Sequence, residues 1–149
     1  MNTITSTHQT ESAIIEQPIS KVWEALKSFD FHKYFPSMVK SLTFSCGSAK
    51  EVSSIFDIEF SDNSIWTFGL LEISESKRKI SYELIESKPE VIFTGVYNTI
   101  KLIKVTDNNS TYIEWSNNFT NDVNSHVILD CKYKKLGCFE DMKKYFSNK

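Results

Sequence analysis

Between residues 39 and 120 apolar and polar side chains alternate with a period of two, whereas the flanking stretches place apolar residues at helical spacing. The alternation predicts strands over 39–46, 52–60, 64–75, 79–87, 93–106 and 111–120, separated by turn formers such as Gly47, Asn63, Pro89 and Asn109. Connections this short join antiparallel neighbours, so these strands form a meander. Ahead of them, SAIIEQPISKVWEALKSFDFHKYFPSM reads as a short strand stopped by Pro18, which has no N–H to give a ladder, and then a helix. Ser20 is placed to cap a helix starting at Lys21, and Val22, Trp23, Leu26 and Phe29 share one of its faces. Pro36 closes a second short helix by disfavouring the helical region for the residue before it. Residues 124–146 form one long closing helix. The result is a single α+β domain over 9–149, a cupped antiparallel sheet of about seven strands wrapped around the C-terminal helix, behind a polar flexible tail at 1–8.

Alternation also sorts the strand faces. Phe56, Ile58 and Phe60 share one side of their strand. So do Trp66, Phe68 and Leu70; Ile80, Tyr82 and Leu84; and Ile113, Trp115 and Phe119. In the strand over 93–106 both faces are mixed, and Asn98, Ile100 and Leu102 make the better inward set. On the closing helix, about 100° per residue groups Ile128, Cys131, Cys138, Phe139, Met142 and Phe146 with Val127 in a stripe roughly 120° wide. Lys135 falls inside that stripe.

Three ordered segments carry a resemblance. I-x-x-P-I-x-x-V-W-x-x-L-x-x-F at 15–29, KISYELIE at 79–86 and TYIEWSNNF at 111–119 resemble the polyketide cyclase/dehydrase and START-like superfamily, to which the major birch pollen allergen and plant abscisic-acid receptors belong. The resemblance covers nearly the whole chain and implies the helix-grip fold. It also implies an inward face for Trp66, Phe68 and Leu70, a Tyr82 phenol pointing into a cavity, and a last helix that forms one wall of it. The segment between Cys46 and Ser54 departs from the allergen-like branch, with one glycine where those proteins carry a glycine-rich loop.

The bulk properties remove several classes of function. With 17 basic and 19 acidic residues the net charge is −2, with no basic stretch of the kind that tracks nucleic acid. No apolar run approaches a membrane span, so stable membrane insertion is not expected. Cys46, Cys131 and Cys138 are an odd set without histidines at zinc-site spacing, which argues for a cytoplasmic protein and against a metal; no cofactor is implied. There is no G-x-S-x-G elbow, no glycine-rich phosphate cradle and no readable triad.

What remains is a cavity for a small hydrophobic molecule such as a lipid, sterol or polyketide, bound for transport or sensing. Its expected walls are Phe56, Ile58, Phe60, Trp66, Phe68, Leu70, Tyr82, Leu84, Asn98, Ile113, Trp115, Ile128, Cys131, Lys135 and Met142, with Asn117 as a further source of polarity. Two rivals stand beside this reading. One is a cyclase or dehydrase with Lys135 and Tyr82 as acid and base. The other is a cochaperone-like protein-interaction module with a filled core. For Lys135 itself, rotation of the helix so that the ammonium snorkels to the rim is favoured over burial, because charged residues are seldom fully enclosed.

Overall fold

In the computed structural model, residues 6–147 are described, and the expected tail falls outside them for residues 1–5. His8 already opens the first strand, β1 (His8–Ile15). Two helices follow, α1 (Ile19–Lys27) and α2 (Phe31–Tyr34), then the meander β2 (Val39–Cys46), β3 (Ile55–Phe60), β4 (Ile65–Ser74), β5 (Lys79–Lys88), β6 (Val96–Val105) and β7 (Ser110–Phe119). The long helix α3 (Ser125–Ser147) closes the chain. The strands form one antiparallel sheet in the order β1-β7-β6-β5-β4-β3-β2. The strand added to the meander is therefore the first, paired to the last with Ala13 opposite Ile113. This puts β1 and β2 at opposite edges, and α1 and α2 carry the chain from one edge to the other.

Helix α1 begins at Ile19, two residues earlier than expected. Pro18 is its N-cap, no side chain caps it, and Ser20 lies inside the first turn. The Pro18 carbonyl already accepts the N–H of Lys21 at 3.0 Å and that of Val22 at 3.3 Å, so helical bonding starts from the proline with its pre-set φ. Val22, Trp23 and Leu26 are buried as the periodicity requires. Phe29 is buried too, but from beyond the helix end and with φ at 58°. Strand β3 starts at Ile55 rather than 52, leaving Val52 exposed in a turn, and β6 starts at Val96 rather than 93. The segment before β6 is tied down by side chains instead. Asp122 accepts the Thr94 N–H at 2.8 Å and its hydroxyl at 2.7 Å. These bonds, with one from Thr120, hold the exposed Asp122 carboxyl down at about 2.

The inward faces are those the alternation specifies. Phe56, Ile58, Trp66, Phe68, Leu70, Ile80, Tyr82, Asn98, Ile100, Leu102, Ile113 and Trp115 are all buried beneath α3 or the α1–α2 segment, and Leu84 and Phe60 are partly buried against them. Asp141 locks the helix to this arrangement. It is 8% exposed and accepts the Ser37 N–H at 2.8 Å and the Ser37 hydroxyl at 2.6 Å, pinning α3 to the loop between α2 and β2. At the far end of β2, Gly47 adopts a φ of 77°, and a Cβ there would sit 2.0 Å from the Ser54 hydroxyl oxygen.

Asp141→Ala strips Ser37 of its acceptors and should cost about 2–3 kcal/mol in urea unfolding, whereas Asp141→Asn, which keeps an acceptor, should lose about half as much. Gly47→Ala should lower stability by roughly 1–3 kcal/mol through left-handed strain and the clash with Ser54. A change within a few tenths of a kcal/mol for either alanine variant would contradict these contacts.

Candidate functional site

Two groups of side chains fill the concave face differently. Phe29, Phe31 and Phe35 descend from the α1–α2 segment onto the sheet. Phe29 meets Phe31 at 5.6 Å, Phe56 at 5.4 Å and Phe44 at 5.6 Å between ring centroids, and Phe56 continues to Phe68 and Tyr82 at 5.6 Å each. Phe35 and Phe139 flank Trp115 at 5.8 and 6.2 Å. Edge and tilted pairs of this kind add about 0.5–1.5 kcal/mol each beyond burial, so this half of the cup is a solid core.

The other half keeps a void of about 50 Å³. Its walls are Ile58, Phe60, Trp66, Phe68, Tyr82, Asn98, Trp115 and Asn117 from the sheet, Cys131, Lys134, Lys135 and Cys138 from α3, and Phe31 and Val39 from the α2–β2 region. Of the residues expected to line a cavity, Ile58, Phe60, Trp66, Phe68, Tyr82, Asn98, Trp115, Cys131 and Lys135 do so. Phe56, Leu70, Ile113 and Met142 are fully enclosed in the solid core, and Leu84 and Ile128 are half-buried at its margin. Phe31, Val39, Lys134 and Cys138 are additional wall residues. Cys138 belonged to the stripe, and the same wheel puts Lys134 at its edge, about −20° from Val127. Phe31 and Val39 carried no signal, because their place depends on how the α1–α2 segment folds back.

Lys135 does not snorkel. It is 3% exposed, and its ammonium donates to Asn117 Oδ1. Asn117 Nδ2 in turn donates to Asn98 Oδ1, and Asn98 Nδ2 donates to the Tyr82 carbonyl at 3.2 Å. The register explains this relay: Asn117 lies opposite Asn98, and Asn98 opposite Tyr82, so three strands present one polar row inward. The Tyr82 hydroxyl accepts the Trp115 indole N–H at 3.1 Å. Lys135 and Tyr82, the pair an acid–base enzyme would use, line the same void, but among the described residues no hydrogen bond joins them.

Burial sets the electrostatics. Desolvation draws the Lys135 ammonium down to about 8 and pushes the Cys131 thiol up to about 11; it moves Cys138 and Tyr82 far upward as well. At neutral pH the thiols and the phenol are therefore uncharged, and Lys135 is the charged group in the wall's interior. At the mouth, Lys134 lies 4.3 Å above the Phe60 ring and 5.7 Å from that of Trp66, held by Asp130 at 2.7 Å and Asp62 at 3.4 Å. Among the described residues no cluster of side chains suits a metal ion, and no helix is long and apolar enough to cross a membrane.

No protein-family model matches the chain, and no curated protein matches it in sequence. Its backbone nonetheless resembles several solved structures. A protein from Nitrosospira multiformis superposes with a TM-score of 0.81 at 20% identity, over 93% of this chain and 95% of the other. Ara h 8.0201 gives 0.77 at 18% identity over 95% and 98%. The ginseng major latex-like protein 151 from Panax ginseng gives 0.75 at 14% over 93% and 95%. At these identities the likeness establishes the fold: the chain has the helix-grip architecture of the START-like and birch-pollen-allergen-like proteins.

Because the folded-state value for Lys135 lies below the ordinary 10.5, the penalty for burying its charge is fully present below pH 8. It is relieved as pH rises from about 8 towards 10.5, where the unfolded chain holds the proton and the folded one has lost it. Lys135→Met removes the penalty, on the order of 3 kcal/mol, less about 1 kcal/mol for the lost bond to Asn117. The variant should match or exceed the parent in stability at pH 6–7, and the advantage should shrink above pH 8. The two thiols and Tyr82 act in the opposite direction above pH 9 in both proteins; because the Lys135 charge also lowers the two thiols, the difference between the unfolding curves is read up to about pH 10, where both folded proteins keep their thiols protonated. A variant less stable by several kcal/mol at pH 6.5 would contradict the assignment.

Proposed function

We propose that this helix-grip chain binds a small, largely apolar molecule in the space between α3 and the inner face of the sheet. The observation that carries the reading is the void itself, walled by aromatic rings and closed on one side by a buried polar row. Burial of ligand surface at about 25 cal/mol per Å² supplies the affinity, and the polar row orients the molecule. As it stands, 50 Å³ holds one or two waters at ~30 Å³ each, well below the ~300–1,000 Å³ of ordinary ligand sites. A ring-sized or short-chain ligand therefore enters with movement at the mouth. Lys134 and the half-buried Phe60 are the side chains that yield, since both lie at the mouth and are only partly covered, Phe60 at the margin of the core and Lys134 by its ion pairs with Asp62 and Asp130. A sterol or long lipid would require α3 to part from the sheet. The three thiols, none in a disulfide, fit a reducing compartment such as the cytoplasm.

The smallness of the void favours one other reading, a filled-core module that acts through its surface. The two are separated by titrating the protein with N-phenyl-1-naphthylamine, a neutral fluorescent probe, and with a library of small hydrophobic compounds. The binding reading expects a change in emission from Trp66 and Trp115 and, at a hundredfold excess over Kd, about 2.7 kcal/mol of added stability. Lys134→Ala, which clears the mouth, should speed probe entry. Unaltered tryptophan emission and an unshifted melting temperature across the library would leave the filled-core module in its place.

A further inference from the structure

The polar end of the void has a one-sided hydrogen-bond inventory. Each oxygen of the polar row that lines it has a protein donor: Asn117 Oδ1 has Lys135, Asn98 Oδ1 has Asn117, the Tyr82 carbonyl has Asn98, and the Tyr82 hydroxyl oxygen has the Trp115 indole. Among the described residues the buried side-chain acceptor without a partner is Gln9 Oε1, opposite Asn117 on β1, and it does not line the void. Each of these oxygens keeps a second lone pair, but the groups on the wall with no protein partner at all are N–H and O–H donors. An ammonium has three N–H groups, and Lys135 uses one of them on a protein acceptor among the described residues. The Tyr82 O–H has no protein acceptor there either. Among the described residues no carboxylate forms an ion pair with Lys135. The carboxylate that acts on it from a distance is Glu11 on β1, the strand beside β7; one Glu11 oxygen accepts the Gln9 amide at 2.7 Å, and no ion pair joins Glu11 to Lys135. The buried cation therefore has no counter-ion in contact with it, and beyond the two amides beside it and Lys134 at the mouth the void is lined by apolar and aromatic side chains and two thiols.

Resting on the reading of this void as a ligand site, we propose that its ligand is a small apolar acid whose carboxylate pairs with Lys135 and accepts from the Tyr82 hydroxyl. A neutral amide or ester presents a weaker acceptor and leaves the charge uncompensated. An amine or a sugar brings further donors to a wall that already has too many. A carboxylate supplies two oxygens, accepts the spare N–H and O–H groups and neutralises the ammonium, while its aromatic or short aliphatic body lies against Phe68, Trp66 and Trp115. A cation buried with a single neutral partner is costly to keep, and a charged ligand is the simplest agent that offsets the cost.

The test is calorimetric titration at pH 6.5 with matched pairs, benzoate against benzamide and phenylacetate against phenylacetamide, on the whole protein and on Lys135→Met. The acids should bind about ten- to a hundredfold more tightly than their amides to the parent, the range a charge-assisted bond provides. Lys135→Met should retain the amides and lose the preference. Where the variant does not fold, lysine Cε NMR on the parent gives a second readout: adding phenylacetate should raise the Lys135 titration midpoint above about 8, and phenylacetamide should leave it unmoved. Equal binding of acid and amide would overturn the acid assignment while sparing the ligand site. An acid preference that survives Lys135→Met would overturn it by placing the acid elsewhere. Failure of all four compounds and of the neutral naphthylamine probe would remove the ligand site and this proposal with it.

Discussion

A seven-stranded sheet that curves around one helix has a concave face too broad for that helix to cover, and the rest of this structure follows from how the remainder is filled. Helix α3 lies over part of the inner face and is fastened at Asp141 to the Ser37 loop. The uncovered part receives Phe29, Phe31 and Phe35, which the connection between the two sheet edges delivers from above. That connection exists because the first strand pairs with the last, so the chain has to cross the cup to begin the meander. The aromatic plug and the topology are thus one device. The plug stops short of the N-terminal half of α3, and the void is what it leaves.

The cation sits where the two fillings meet. One face of α3 supplies Lys135, and the inward row of β5, β6 and β7 supplies Tyr82, Asn98 and Asn117, so the charge is solvated by neutral amides rather than by a carboxylate. Neutral partners keep the ammonium destabilised relative to water, which is why its proton is held less tightly than on an ordinary lysine. A carboxylate in the same place would have made a structural ion pair with nothing left to offer a ligand. The adjacent Lys134 shows the contrast. One position along the helix, it reaches solvent, pairs with Asp62 and Asp130, and rests on the Phe60 ring at the mouth. Consecutive lysines therefore do different things because 100° of helix rotation separates the enclosed interior from the rim.

Much of the fold was legible because its signals are local. The period of two in Phe56, Ile58 and Phe60 fixes which face of the strand is inward whatever lies across from it, and the turn residues at Gly47, Asn63 and Asn109 fix where strands reverse. Strand starts were less legible. Val52 and Phe93 continue an apolar pattern into turns, and only the backbone partners available there decide that the ladders begin at Ile55 and Val96. For the candidate site, alternation gave the inward face of the sheet but did not divide it. Phe56, Leu70 and Ile113 have the same alternation as Phe68 and Trp115, yet they are packed solid, Phe56 directly beneath Phe29 of the plug.

By itself the sequence determined the α+β class, the order of elements, the inward faces and the presence of a lysine in an apolar stripe, since each depends on spacing along the chain or on an intrinsic preference. Tertiary structure alone decided that Lys135 is enclosed rather than snorkelling, that it meets Asn117, and that the cup is largely filled with a small void beside the lysine. Those outcomes depend on the rotation of α3 about its axis and on how deep the Phe29–Phe35 segment sinks. Both are set by packing between residues a hundred positions apart, as Ser37 and Asp141 are, and no periodicity within one element carries that information.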